Sequence, residues 1–376
     1  MGEARRAMAD ASSSHRRRPQ PRRAVAALKP VPHGGTPAGV APGRLLDFTA
    51  NINPFGPPPE VYDALRQTPV DALPDPEGRP VLEALARRLA VPPDHLILGN
   101  GSAEVMQLLA LAYLEEGDRV VIFGPAFGEY QRIARMMGAS VTYWTAREED
   151  LFQPRLGEMA QLLARTRPKA VFLCHPNNPT GTAYPMDWLA RQLARFPETL
   201  FVVDEAYHPF TLDAVPSALR LRAPNLLVLR TLTKDHALAG LRIGYAVADP
   251  VLLAPLRAVR PPWNVNTYAQ AAAVAALRDP GYVQDSLRRL HAAVQELRRG
   301  LQERGFFVVP SVAHFFLVRV GDATAVRDFL LQNYGVQVRD CTSFGLPAYI
   351  RVASLRPEEN AVLLKGLEAY RRRQAA

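Results

Sequence analysis

Five short apolar runs constrain the fold of this 376-residue chain more than any other feature: residues 119–123, 170–174 (AVFLC), 199–203 (TLFVV), 225–230 (NLLVLR) and 243–248 (IGYAVA). Each is strand-length and apolar at successive positions, so both faces of the strand must be covered. Amphipathic stretches such as 103–116 and 187–195 fall between several of them. That alternation predicts an α/β fold with a mainly parallel sheet. A long helix over about 283–304 then leads to residues 305–373, which read strand, strand, helix, strand, helix, a smaller α+β module. The expected organisation is a disordered basic tail (1–30), a Pro- and Gly-dense segment packing with the small domain (31–58), a large α/β domain (59–282) and a small C-terminal α+β domain (283–376). A cleft between two such domains is a preferred place for a ligand.

Composition narrows the function classes. With 48% hydrophobic and 22% charged residues the chain as a whole has a core to bury. No apolar run reaches the ~18 residues of a membrane span. Two cysteines, Cys174 and Cys341, fit a reducing, cytoplasmic setting and exclude a four-cysteine zinc site, and no metal site is expected. The net charge is +9, but residues 1–30 hold seven arginines and Lys29 against Glu3 and Asp10, so most of the excess sits in the tail. Such a tail attracts anions weakly. A non-catalytic sensor with a nucleic-acid-binding tail is the rival reading; no helix-turn-helix region is visible to support it.

Of the 45 basic residues only Lys29, Lys169, Lys234 and Lys365 are lysines. Where arginine serves nearly every positive charge, a retained lysine points to a need for a primary amine, which can lose its proton and form a Schiff base. Lys234 alone follows directly on a buried strand. Ligands of open parallel sheets bind beyond the carboxyl ends of the strands, so the segments after the strands carry the functional reading. GNGSAE (99–104) opens a helix, a phosphate site or a plain cap. GPAFGEY (124–130) places Phe127 near the cleft, to stack on a planar ligand or to pack in the core. HPNNPTG (175–181) is a rigid turn with amide side chains available. DEAYHPF (204–210) ends a strand on Asp204, a buried acid that needs a cationic partner, and the absence of any Walker A sequence argues against nucleotide hydrolysis. TLTKDHALAGLRIGYAV (231–247) surrounds Lys234 with Thr231, Thr233 and Arg242, a phosphate clamp.

Together these supply a ring stacker, an acid for a ring nitrogen, donors for a ring oxygen, a phosphate cup and an amine. That is the set needed to hold pyridoxal phosphate, which takes up the electron pair left when a bond to a substrate Cα breaks.

The ordered set HPNNPTG, DEAY and TLTK with LAGLRIGY resembles the fold-type I pyridoxal-phosphate enzymes of the class I/II aminotransferase family over about residues 31–373. The resemblance implies the type I PLP-dependent transferase fold, with Lys234 as the Schiff-base lysine and Asp204 on the pyridine nitrogen. It implies Tyr207 and Asn178 on the phenolic oxygen, Phe127 on the ring, and Ser102, Ala103, Thr231, Thr233 and Arg242 around the phosphate. Arg351, in YIRVAS, would take a substrate carboxylate. The family usually supplies a tyrosine across a homodimer just before a PDP-like stretch; here LPDPEGRP (73–80) has Leu73 in that place. HGG (33–35), DFTANINPFGPP (47–58), RPPWNVN (260–266) and RDCTSFGLPAYIRVA (339–353) are similar to segments of the threonine-phosphate decarboxylases of cobalamin biosynthesis, and the alternative is transamination as in the histidinol-phosphate aminotransferases. Either implies a phosphorylated amino compound, with His33, Asn53 and Arg339 as further substrate contacts.

Overall fold

The computed structural model describes residues 19–26, 28–31 and 45–375. Seven strands form the large sheet: β2 (Leu96–Asn100), β3 (Arg119–Gly124), β4 (Ser140–Thr145), β5 (Ala170–Cys174), β6 (Leu200–Asp204), β7 (Leu226–Thr231) and β8 (Ile243–Ala248). They lie in the order β2-β8-β7-β6-β5-β3-β4. Neighbours from β4 through β7 are parallel; β8 alone reverses, pairing antiparallel with both β7 and β2. Every residue of β5, β6 and β8 is buried, as their apolar composition demands.

The pleat sorts side chains to two cores. Leu200 and Val202 of β6 face one side, with the helix Ser102–Tyr113, while Phe201 and Val203 face the other, with Trp188 and Leu189 of the helix Met186–Arg195. The edge strand β4, sequence SVTYWT, is mostly exposed or half-buried and has no apolar run to announce it.

The other strands build the smaller part. β9 (Phe307–Val308), β10 (Phe315–Arg319), β12 (Arg339–Asp340) and β13 (Tyr349–Ala353) make an antiparallel sheet in the order β12-β13-β10-β9. β1 (Leu46–Asp47) pairs in parallel with β11 (Val336–Gln337), so the N-terminal segment joins this end of the molecule. The helix Pro280–Glu303 connects the two parts and begins three residues earlier than the sequence reading, where the Asp279 carboxylate accepts from the Tyr282 N–H at 3.1 Å.

Of the span 1–30, residues 19–26 and 28–30 are described. Arg23–Ala26 form one helical turn beside the helix Gly128–Met136, and Arg22 Nη2 donates to the Met136 carbonyl at 3.4 Å. Ala24, Val25 and Leu28 are half-buried. Residues 1–18 lie outside the described residues.

Candidate active site

The carboxyl ends of β5, β6 and β7 open onto a cavity of about 310 Å³. Ser102, Ala103, Phe127, Asn178, Asp204, Tyr207, Thr231, Thr233, Lys234, Arg242, Arg339 and Arg351 all line it. These residues span 250 positions of sequence, and the alternation of strand and helix is what gathers them.

One end is a cup for an anion. Gly99 and Gly244 are register partners across β2 and β8, and a Cβ on Gly244 would stand 2.7 Å from the carbonyl carbon of Gly101. Only glycine lets the loop settle onto the strand there. Gly101 itself has φ +76°, and a Cβ on it would stand 2.6 Å from Arg242 Nη2. The loop thus delivers the start of the helix Ser102–Tyr113, with its free N–H groups and positive dipole end, beside a guanidinium. The Thr231 and Thr233 hydroxyls lie 2.9 Å apart, and Thr231 Oγ1 donates to the Ile243 carbonyl at 3.0 Å. Amides, hydroxyls and guanidinium together suit a phosphate dianion.

The middle is a slot with an acid at its base. Asp204 ends β6 in register with Cys174 of β5. Tyr130 Oη donates to Asp204 Oδ2 at 2.7 Å and the Ala206 N–H donates to Oδ1 at 3.0 Å. Burial pushes the Asp204 carboxyl up, and these two hydrogen bonds work against it. Asn178 faces the cavity, whereas the Asn177 amide is spent on the Pro125 carbonyl at 2.9 Å and Thr180 Oγ1 at 3.0 Å, pinning two strand-end loops together. Burial raises the Tyr207 phenol to about 12.

Lys234 Nζ donates to the Ala50 carbonyl at 2.8 Å. Its amine is lowered to about 8, first by burial and then by the charges of Arg351 and Arg242. A solvated lysine stays near 10.4, so this one has a usable neutral fraction at ordinary pH. Beyond it, Arg351 Nη1 donates to Asn178 Oδ1 and Nη2 to the Thr49 carbonyl at 2.6 Å, while Nε has no partner among the described residues. Arg339 is the register partner of Arg351 across β12 and β13. Its Nη2 donates to Ser343 Oγ at 2.7 Å and its guanidinium lies over the Phe344 ring at 5.3 Å.

Residues 44–367 match the family of class I and II aminotransferases. The chain belongs to that family. A histidinol-phosphate aminotransferase of Symbiobacterium thermophilum is 41% identical over 337 residues, covering 86% of this chain and 90% of the relative. Among solved structures, the histidinol-phosphate aminotransferase of Sinorhizobium meliloti in complex with pyridoxal-5'-phosphate superposes with TM-score 0.80 at 26% identity, over 88% of this chain and 91% of that one. The L-threonine-O-3-phosphate decarboxylase of Porphyromonas gingivalis does so with TM-score 0.78 at 27% identity, over 87% of this chain and all of that one, 100%.

This class I/II aminotransferase is a pyridoxal-phosphate enzyme of the type I fold. Its residues fit the cofactor on their own terms: an anion cup at one end, a buried carboxyl of raised proton affinity at the other, and an amine of lowered proton affinity within the same cavity. One of the expected substrate contacts is not brought to the cavity. Asn53 faces away; its Nδ2 donates to the Asp235 carbonyl at 2.9 Å and to Ser286 Oγ at 2.7 Å, and its backbone N–H donates to the Lys234 carbonyl at 2.9 Å. It braces the lysine turn instead of meeting a ligand. His33, with the rest of HGG, lies outside the described residues. Leu73 is 74% exposed, away from the cavity of its own chain.

Other lining residues escape a motif reading. The Thr49 and Ala50 carbonyls act through backbone, which sequence does not flag. Val31 packs against Gly128 from a segment with no pattern. Tyr130 had a usable signal: it sits three residues after Phe127, one helical turn on, in GPAFGEY.

Proposed function

We propose that this enzyme is an aminotransferase of the histidinol-phosphate type, moving an amino group between glutamate and the ketone of a phosphorylated substrate. The observation that carries the reading is the pair Arg339 and Arg351. They are register partners in an antiparallel pair, so two like-charged side chains leave the same face of the sheet. Both line one cavity, where the two carboxylates of glutamate or a substrate phosphate would meet two positive charges. Three features support transamination over the decarboxylation that segments 47–58 and 339–353 suggest. The 41%-identical relative bears an aminotransferase name, the residues that match span nearly the whole chain, and the decarboxylase likeness is one of overall structure at 27% identity.

The cofactor, when bound, supplies an electron sink for the pair left at the substrate Cα. The chain's own residues do the rest. Ser102, Thr231, Thr233 and Arg242 would hold the phosphate, Phe127 the ring face, Tyr207 and Asn178 the ring oxygen, and Asp204 a proton at the ring nitrogen. Arg351 fixes a substrate carboxylate by two parallel donors, and Arg339 takes the distal anion. The Lys234 amine, once displaced by the substrate amine, is the base that removes the Cα proton. Arg351 and Arg339 would orient the substrate so that its Cα–H bond, rather than its Cα–carboxylate bond, is the one presented for cleavage.

A homodimer belongs to the same reading. Tyr62, Val70, Leu73 and Trp263 are large apolar side chains at 48% exposure or more, and Thr267 Oγ1 ties the Leu73 loop to the start of the helix Thr267–Arg278 through the Ala72 carbonyl at 2.9 Å. A second copy of the chain would cover exposed apolar side chains of this size.

The test is a two-substrate assay on purified protein. Glutamate with imidazole-acetol phosphate should give 2-oxoglutarate and histidinol phosphate, and threonine phosphate should release no carbon dioxide. Formation of aminopropanol phosphate without amino transfer would overturn the reading.

A further inference from the structure

We propose that Tyr130 is a positioning residue that keeps Asp204 ionised against the ring nitrogen of the bound cofactor. The inference rests on the pairing of Asp204 with that nitrogen proposed above, and deepens it.

The hydroxyl of Tyr130 is fully buried and donates to Asp204 Oδ2 at 2.7 Å. A buried phenol needs a partner, but this one has taken the single carboxylate at the base of the cofactor slot. The ring is fixed on both sides. It stacks on Phe172 of β5 with centroids 5.4 Å apart and planes at 17°, and meets Phe127 edge-on at 5.7 Å. One side chain thus sets both the residue expected on the cofactor's face and the residue expected on its nitrogen.

The electrostatic consequence follows from counting lone pairs. A carboxylate offers about four acceptor sites. The Ala206 N–H uses one on Oδ1 and Tyr130 one on Oδ2, which leaves sites for a protonated ring nitrogen. Both donors stabilise the carboxylate and neither stabilises the neutral acid. The proton shared between Asp204 and the ring nitrogen is therefore biased toward the nitrogen. Removing the Tyr130 hydroxyl shifts that proton toward Asp204, by about ten- to a hundredfold in the partition, the size of one hydrogen bond to a charged group. The transfer balances: one N–H bond breaks as one O–H bond forms, and the positive and negative charges are lost together.

The experiment uses holoenzyme loaded with cofactor labelled with ¹⁵N at the ring nitrogen, as parent, Tyr130→Phe and Asp204→Asn. Tyr130→Phe keeps the ring between Phe172 and Phe127 and deletes only the donor. The parent resonance should sit at the pyridinium position, and both variants should move it toward the neutral position. Movement in Asp204→Asn but not in Tyr130→Phe overturns the role of Tyr130 alone. No movement in either overturns the Asp204 pairing and this inference with it. A second readout does not need loading: in the full chain without cofactor, the ¹³C titration of the Asp204 carboxyl should lie higher in Tyr130→Phe than in the parent. Coincident titrations would overturn the proposal even if the variant binds cofactor poorly.

Discussion

The guanidinium of Arg230 and the carboxylate of Glu205 meet at 2.7 Å on the face of the large sheet opposite the cavity, with side chains 13% and 0% exposed. Each adjoins a cavity residue, since Glu205 follows Asp204 and Arg230 precedes Thr231. Ser217 Oγ and the Ala218 N–H complete the carboxylate at 2.8 and 2.6 Å. Arg230 holds the Glu205 carboxyl below the usual range against a burial that pushes it up. The pair locks β6 to β7 where the acid and the phosphate cup must keep their spacing.

Arg230→Met should therefore destabilise the protein by about 3–5 kcal/mol, because it leaves a buried carboxylate unpaired. Cofactor affinity should fall with it, and Arg230→Lys should lie between. Thermal unfolding with and without cofactor measures both; a loss below about 1 kcal/mol would show that the pair is not what holds the two strands in place.

Lys234→Arg retains the positive charge and removes the reactive amine. Borohydride treatment of the loaded variant should leave no cofactor on the peptide containing position 234, and turnover should fall by about 10²–10⁴ or more. A stable reduced adduct on another lysine would displace Lys234 from its role.

The lowered Lys234 amine sets a pH profile for capture of the cofactor aldehyde by unloaded protein. The neutral amine is the nucleophile, so the rate constant should rise about tenfold per unit at low pH and level off above about 8. Arg351→Gln removes a neighbouring positive charge and should move that midpoint upward. Stopped-flow absorbance across pH 6 to 10, on the order of four units around this value, tests the sign.

Arg339→Ala should raise KM for the phosphorylated substrate about ten- to a hundredfold, the loss of a charge-assisted contact, with kcat changing less. Arg351→Ala should depress both half-reactions, since it also orphans Asn178 Oδ1 and the Thr49 carbonyl. Equal effects of Arg339→Ala on a phosphorylated and an unphosphorylated amine would remove the phosphate assignment.

Much of this was readable before any coordinates because the chemistry is local. Strands buried on both faces announce themselves by continuous apolar runs, and Lys234 stands out against arginines used everywhere else. The half-exposed β4 and the two-residue strands β1, β11 and β12 carry no such run. Asn53 illustrates the harder failure. Its loop position suggests a ligand contact, but its partners Asp235 and Ser286 lie 182 and 233 residues away, and only the folded chain shows that its amide is already committed. Tyr130 stands one helical turn after Phe127, but its partner Asp204 is 74 residues away and only the folded chain brings the two together.

The contact between Val31 and Gly128 has one more implication. A Cβ on Gly128 would stand 2.6 Å from Val31 Cγ1, so Val31 is fitted closely against the start of the helix Gly128–Met136 in the cavity wall. Proteolytic trimming past Val31, or a bulky fusion placed there, would reshape the cavity on that side. Val31 is thus a piece of the cavity's wall, and its loss would leave that side open.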